Sequence, residues 1–431
     1  MTVLPRTDRE RAKLTRGTFL FHLRPIRLPR RTVRWTHTFG LGGSSLVLWC
    51  TLALTGILML LVYQPVPDVA YDSVRTLTDA VRFGPLVRGV HYWSANLLVV
   101  VVLLHVARVV FTGGYHRPRR LNWIIGAALL GGVLAAAFTG YLLPWDQRAF
   151  WAVTISTGML SYVPLIGAGL EAIARGGTDV GADTLLTFYT YHTTVLPVLA
   201  IVLMAFHFWR VRRAGGVVEP PPDGEETEEK VLFFPDLLLR EASQALVVLA
   251  LVVVLGAVVG APIGERANPG MSPNPAKAPW YFMGFQELLI HLHPVFAVLV
   301  VPLAALVAFV ALPWLGNDDG ATGCWFLSEA GRRAAGVAAI LAAVLATAGV
   351  LLDASLPPSS GGLLSRGLVP TALLAGATAV VVLGLRHRLR LGRNESLQTV
   401  IVFLVVGFAT LTLVGAVFRG EGMALAFPWG G

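Results

Sequence analysis

Nine stretches of this chain are apolar almost without interruption, and its charged residues gather between them. The runs cover roughly residues 43–64, 91–112, 123–143, 187–210, 242–261, 294–314, 334–352, 368–386 and 398–418. A run of about 20 apolar residues is long enough to cross the hydrocarbon core of a bilayer as a helix. Within lipid each segment must satisfy its own backbone hydrogen bonds, so the runs predict helices throughout. The expected fold class is all-α, a polytopic membrane protein with about nine transmembrane helices.

Composition agrees, with 55% hydrophobic and 14% charged residues. The net charge of +9 is informative by position. Residues 1–38 hold ten basic residues and no apolar h-region, which predicts a basic cytoplasmic arm and no cleavable signal peptide. The loops after the second, fourth, sixth and eighth runs should then also be cytoplasmic. They carry Arg117, Arg119 and Arg120; Arg210, Arg212 and Arg213; Arg332 and Arg333; and Arg386, Arg388, Arg390 and Arg393. The opposite loops are poorer in Lys and Arg, so the positive-inside rule places the C-terminus outside. These arginines flank apolar runs and form no amphipathic patch, which argues against a nucleic-acid partner. Cys50 and Cys324 are too few for a disulfide framework or a four-thiolate cluster, and no C-x-x-C-H is present. Residues 214–232 form an acidic, Pro-rich linker between a four-span front module, 39–213, and a back module, 233–315. Residues 316–431 add three further spans.

Histidines supply the chemistry. His91 and His105 lie 14 residues apart on the second run, His192 and His207 15 apart on the fourth. Fourteen residues is close to four helical turns, so both rings of a helix share a face, about 21 Å apart along the axis. Pro197 lies between the second pair and could bend its helix to absorb the extra residue. Two such helices running in parallel set His91 opposite His192 and His105 opposite His207. Each pair suits a haem iron that takes two axial nitrogens and leaves no open position. One histidine in such a run is readily a hydrogen-bonded core residue; four at a doubled spacing are not. Gly42 and Gly56 on the first run, and Gly126 and Gly140 on the third, repeat the 14-residue period and would let a backbone approach a flat macrocycle. Arg88 and Arg108 flank the first histidine pair and suit haem propionates. A transporter would need broken helices and charges near mid-membrane, and the sequence offers neither.

Three stretches carry a family resemblance: RGVHYWSANLLVVVVLLHVARVVFTGGYHRPRRLNW, GYLLPWDQRAFWA and FYTYHTTVLPVLAIVLMAFHFWRVRRAGG. They resemble cytochrome b of the bc-type quinol oxidoreductases over roughly residues 35–315. The 15-residue spacing resembles the split, chloroplast-type branch, and the back module on the same chain resembles the fused branch. The resemblance implies a front four-helix bundle with two non-covalent b haems, the outer on His91 and His192, the inner on His105 and His207. It implies quinol oxidation on the outer face, a Rieske iron–sulfur protein as acceptor of one electron, a c-type cytochrome subunit, an inner quinone site, proton translocation and a homodimer in the cell's inner membrane. It competes with a haem-bearing membrane anchor for a dehydrogenase, which would not explain PWD or APWY.

The outer pocket implied by the resemblance draws on Pro144, Trp145 and Asp146 and on NPAKAPWYFMGFQELL. Where the family has Pro-Glu-Trp-Tyr, this chain has Ala278, Pro279, Trp280 and Tyr281, so the carboxylate is missing. Glu287, eight residues beyond Pro279 and followed by His291, is the expected proton acceptor, and Tyr281 a hydrogen-bond partner for quinone. The altered pocket points to menaquinol. At the inner site FFPDLLLREA resembles a Lys–Asp pair, with Arg240 to position charge and Glu241 to carry protons. Gly40, in FGLGG, stands where the chloroplast-type branch has a haem-attaching cysteine, so no covalent haem is expected.

Overall fold

A computed structural model describes residues 7–17, 26–221, 229–318, 322–356 and 362–427. A short helix, α1 (Asp8–Gly17), and a strand, β1 (Arg27–Pro29), precede the first span, α2 (Leu41–Leu60). An amphipathic helix, α3 (Pro67–Asp79), leads to the second span, α4 (Gly84–Phe111), and then the third, α5 (Arg120–Leu142). Two short helices, α6 (Gln147–Gly158) and α7 (Gly167–Arg175), separate it from the fourth span, α8 (Ala182–Arg213). After β2 (Lys230–Leu232) come α9 (Phe233–Val258), the short α10 (Met283–His291), and α11 (Phe296–Leu315). The last spans are α12 (Glu329–Ser355), α13 (Leu363–Leu389) and α14 (Arg393–Val417). Among the described residues nine helices are long and apolar enough to cross a membrane, as the nine runs predict.

Observed helices outrun the apolar runs. α4 starts at Gly84, seven residues before the run, so Arg88 is helical. Helical hydrogen bonding continues into polar ends that hydropathy does not register. Where proline follows, the backbone widens: five- or six-residue π turns at Tyr191–Val195, Phe296–Val300 and Leu363–Leu368 lie just ahead of Pro197, Pro302 and Pro370. Proline has no N–H to give the preceding turn and its ring crowds the carbonyl there, and a wider turn relieves both.

α2 packs along α4, and α5 along α8. α9 seats on both α2 and α4. It crosses α4 where Gly89 and Gly256 meet: a Cβ on Gly89 would lie 2.5 Å from the Gly256 carbonyl oxygen. Small residues at the crossing let two backbones touch in lipid, where close packing drives association. The arm and linker are less loose than the sequence suggests. β1 pairs antiparallel with β2, Arg27 opposite Leu232, and Arg30 meets Glu229 at 2.6 Å. The linker expectation therefore overreaches at its end, because 230–232 form a strand; residues 222–228 lie outside the described part.

Candidate functional site: two imidazole pairs in one cavity

The four histidines meet in two pairs across the space between α4 and α8. Ring centroids of His91 and His192 are 6.3 Å apart, and those of His105 and His207 are 6.5 Å apart. Two metal–imidazole bonds of about 2 Å each leave about 4 Å between ring nitrogens. The ring radii make up the rest, so each gap admits one metal centre. The Tyr191–Val195 π turn contains His192 and explains the 15-residue spacing. A π turn holds one extra residue without shifting the flanking faces, so the pair sits as two residues 14 apart would on a regular helix. The expected bend at Pro197 is thus a local widening.

Each glycine of the 14-residue period faces one histidine. A Cβ on Gly56 would lie 3.5 Å from His91 Cε1, and one on Gly42 3.5 Å from His105 Cε1. Gly126 stands likewise 3.6 Å from His207 Cε1. Gly140 is tightest, its Cβ falling 2.4 Å from His192 Cε1. In this structure the glycines are sockets for imidazole edges.

Behind the rings lie two residues the sequence reading missed. The Thr55 hydroxyl donates to Thr51 O at 2.7 Å, and its oxygen is 2.9 Å from His91 Nδ1. Thr139 Oγ1 is 3.4 Å from His192 Nδ1, and the Ala136 carbonyl is 2.9 Å from the same nitrogen. An acceptor at Nδ1 fixes the proton there and turns the Nε2 lone pair into the gap. The signal was available: Thr-Gly occurs at 55–56 and again at 139–140, one dipeptide per socket of the first site. At the second site Leu41 and Ile125 precede the glycines, and His207 Nδ1 makes no well-formed hydrogen bond.

One cavity of about 2200 Å³ reaches both pairs, all four glycines, Arg88 and Arg108. Typical small-molecule pockets run to about 300–1000 Å³, so this space admits more than one large group. Among the described residues no three His, Cys, Asp or Glu side chains converge as a metal cage. Each site offers two imidazoles, the axial set for an iron whose other ligands come from a macrocycle. The donor set, gap and sockets therefore fit b-type haem. Arg88 donates to the Ala261 and Pro262 carbonyls at 2.9 and 2.5 Å, and Arg108 to the His37 carbonyl at 3.2 Å. Gly40 has φ 57°, and a Cβ there would land 1.6 Å from Gln244 Oε1. The left-handed φ favours glycine there, and a side chain would have to displace the end of Gln244.

Trp280, Tyr281, Asp146 and Glu241 also line the cavity. Trp280 Nε1 donates to Asn96 Oδ1 at 2.8 Å. Burial, with Tyr141 and Tyr92 nearby, holds the Tyr281 phenol above its usual pKa, so its hydroxyl remains a donor. Asp146 caps α6, accepting from Ala149 N at 2.9 Å, and accepts from Gly264 N at 2.8 Å. Its carboxylate is committed to backbone and ties the PWD turn to the loop after α9.

Two expectations are corrected. Glu287 is fully buried but faces away from the cavity, paired with Arg419 beyond the end of α14. Burial opposes its ionisation, yet hydrogen bonds from His291 and Arg419 prevail and lower its pKa, which makes it a poor proton acceptor. Arg240 is absent from the cavity lining and donates to the Val33 carbonyl at 3.0 Å, so it does not act beside Glu241.

The cytochrome b/b6/petB family model matches residues 30–215. Cytochrome b6 of Heliomicrobium gestii is 42% identical over 182 residues, covering 42% of this chain and 85% of that protein. Cytochrome b6 of Emiliania huxleyi is 44% identical over 175 residues, 41% of this chain and 81% of that one. A chain of a hyperthermophilic respiratory Complex III shares the fold with a TM-score of 0.65 at 22% identity, over 87% of this chain and 89% of that chain. Sequence likeness to these relatives thus covers the histidine-bearing front, and the fold likeness extends into the back.

Proposed function

The chain belongs to the cytochrome b/b6 family, and on that premise we propose that it is the di-haem subunit of a quinol-oxidising electron-transfer complex. Family membership implies b-type haem in a multi-pass membrane protein. The observation that carries the fuller reading is the pair of imidazole gaps, 6.3 and 6.5 Å, within one cavity. His91 and His192 would hold the outer haem, and His105 and His207 the inner. When bound, each haem supplies a one-electron relay between two oxidation states of iron.

The chain's own residues do the rest. Nδ1 partners on His91 and His192 present Nε2 to the metal. Arg88 and Arg108 place positive charge at the cavity wall for propionates. On the outer side, Trp280, held by Asn96, walls the pocket, and the Tyr281 hydroxyl donates to a quinol oxygen. On the inner side Glu241 supplies protons to quinone. Quinol, menaquinol in this reading, loses two electrons and two protons outside. One electron would go to a Rieske protein and on to a c-type cytochrome, and the other would have its inward route in the groups that His91, His192, His105 and His207 would hold. The subunit is a homodimer in the cell's inner membrane, its N-terminus cytoplasmic and its C-terminus outside.

Purification of the intact complex, haem quantitation, a reduced-minus-oxidised spectrum and identification of companions test this. Two non-covalent b haems per chain and a Rieske companion are expected. Fewer than two haems per chain overturns the reading.

A further inference from the structure

Where the last three spans approach α10, five ionisable side chains form a chain of contacts that the electron path does not use. Glu287, fully buried, accepts from Arg419 Nε at 3.0 Å and also from Nη2. His291 Nε2 is 3.1 Å from Glu287 Oε1 and 3.3 Å from Arg419 Nη2. His291 Nδ1 is 2.7 Å from Asp353 Oδ2, in the last turn of α12. Arg366, at the start of α13, lies 3.7 Å from Asp353 and donates to the Ile290 carbonyl at 3.0 Å. α12, α13 and the segment after α14 each contribute one member.

The opposite face of α10 belongs to the cavity. Met283, Phe285, Gln286 and Leu289 line it. Gln286, adjacent to Glu287, accepts from Ala278 N and donates to the Ala276 carbonyl, both at 2.7 Å. That fastens the strap leading into Trp280 and Tyr281. α10 is therefore a short helix with the proposed quinol pocket on one side and a charge cluster on the other. A buried carboxylate left without its partner is costly, so the cluster fixes the rotation of α10 about its axis.

We propose that Glu287, His291, Asp353, Arg366 and Arg419 are positioning residues through which the last three spans set the pocket face of α10 and its affinity for quinol, with His291 as the titrating member. The proposal rests on the quinol reading above. Burial disfavours a charged His291, but the hydrogen bonds and charges of Glu287 and Asp353 outweigh it and raise its pKa. The imidazolium that bridges the two carboxylates is present at lower pH and is lost as pH rises through that raised value. Affinity for quinol should fall over the same interval.

The test uses the purified complex, with KM and kcat for quinol measured against pH. His291→Gln and Asp353→Asn lie toward the partly exposed end of the cluster, and haem content checks their assembly. In the wild type KM should climb on the alkaline side. Both variants should show a KM raised roughly tenfold at neutral pH, a flattened pH dependence, and kcat within about twofold, the pattern of lost uniform binding. The exchange Glu287→Arg with Arg419→Glu should recover part of the affinity that Arg419→Gln loses. Wild-type profiles of KM against pH in both His291→Gln and Asp353→Asn would overturn the cluster's role. A wild-type complex that oxidises no quinol would instead sink the reading beneath it.

Discussion

The two imidazole pairs share a ring separation but differ in how tightly the protein holds them. At the first site both Nδ1 atoms have acceptors within 2.9 Å, both glycines follow a buried threonine, and Gly140 leaves no space for a methyl group. At the second site both sockets have the 3.5–3.6 Å spacing that Gly56 shows at the first, neither is as tight as Gly140, and His207 Nδ1 has no well-formed hydrogen bond. Tautomer and ring angle are thus set in advance at the first site, next to the proposed quinol pocket. At the second the Asn122 backbone holds the His207 ring less firmly. Preorganisation has been built where the rings must hold still beside a substrate, which is the general use of partners behind a metal ligand.

Removing a ligand gives the largest effect. His91→Ala and His207→Ala should each lower haem content from two per chain to one, measured as the pyridine haemochromogen, and His91→Ala should also abolish quinol oxidation. Retention of both haems in either variant would break the comparison at its root. Glycine sockets come next. Gly140→Ala should lose the first-site haem or force it high-spin in electron paramagnetic resonance, since its Cβ would stand 2.4 Å from the ring. Gly42→Ala, at 3.5 Å, should keep both low-spin signals. Equal losses in the two would show that socket tightness has no bearing on binding. Smallest is Thr55→Val. With the Thr55 acceptor gone and only the Leu52 backbone left to it, the His91 imidazole is a weaker donor to ferric iron, so the first-site midpoint potential should rise. A few tens of mV is the scale, against ~59 mV for each tenfold change in a one-electron equilibrium. Thr139→Val should shift it less, because Thr139 stands 3.4 Å from His192 Nδ1, against 2.9 Å for Thr55 and His91, and the Ala136 carbonyl stays at 2.9 Å. Redox titration resolves the two haems, and a shift confined to the second would contradict the assignment.

Much of this was legible without coordinates. Nine apolar runs fixed the number of spans because a helix in lipid must be apolar for its whole crossing, whatever it packs against. The 14-residue recurrence of histidine and glycine told which residues share a face. Periodicity did not reveal that an extra residue on α8 would be absorbed by a π turn ahead of Pro197. Nor did it show that Glu287 would turn from the pocket. Distance along the chain put Glu287 on the right helix, but its azimuth depends on what α10 leans against. Gly284 sits where a Cβ would meet Phe408 at 2.6 Å, and Gly415 where one would meet Met283 at 2.6 Å.

By itself the sequence determined the membrane path and the four imidazoles, since both follow from local composition and helical repeat. Only the tertiary structure decided which face of α10 looks into the cavity, which threonines stand behind the rings, and that the last three spans end on a buried carboxylate. Those are contacts between separate helices, from Thr55 and His91, 36 residues apart, to Glu287 and Arg419, 132 apart, and no local periodicity encodes the rotation that brings them together.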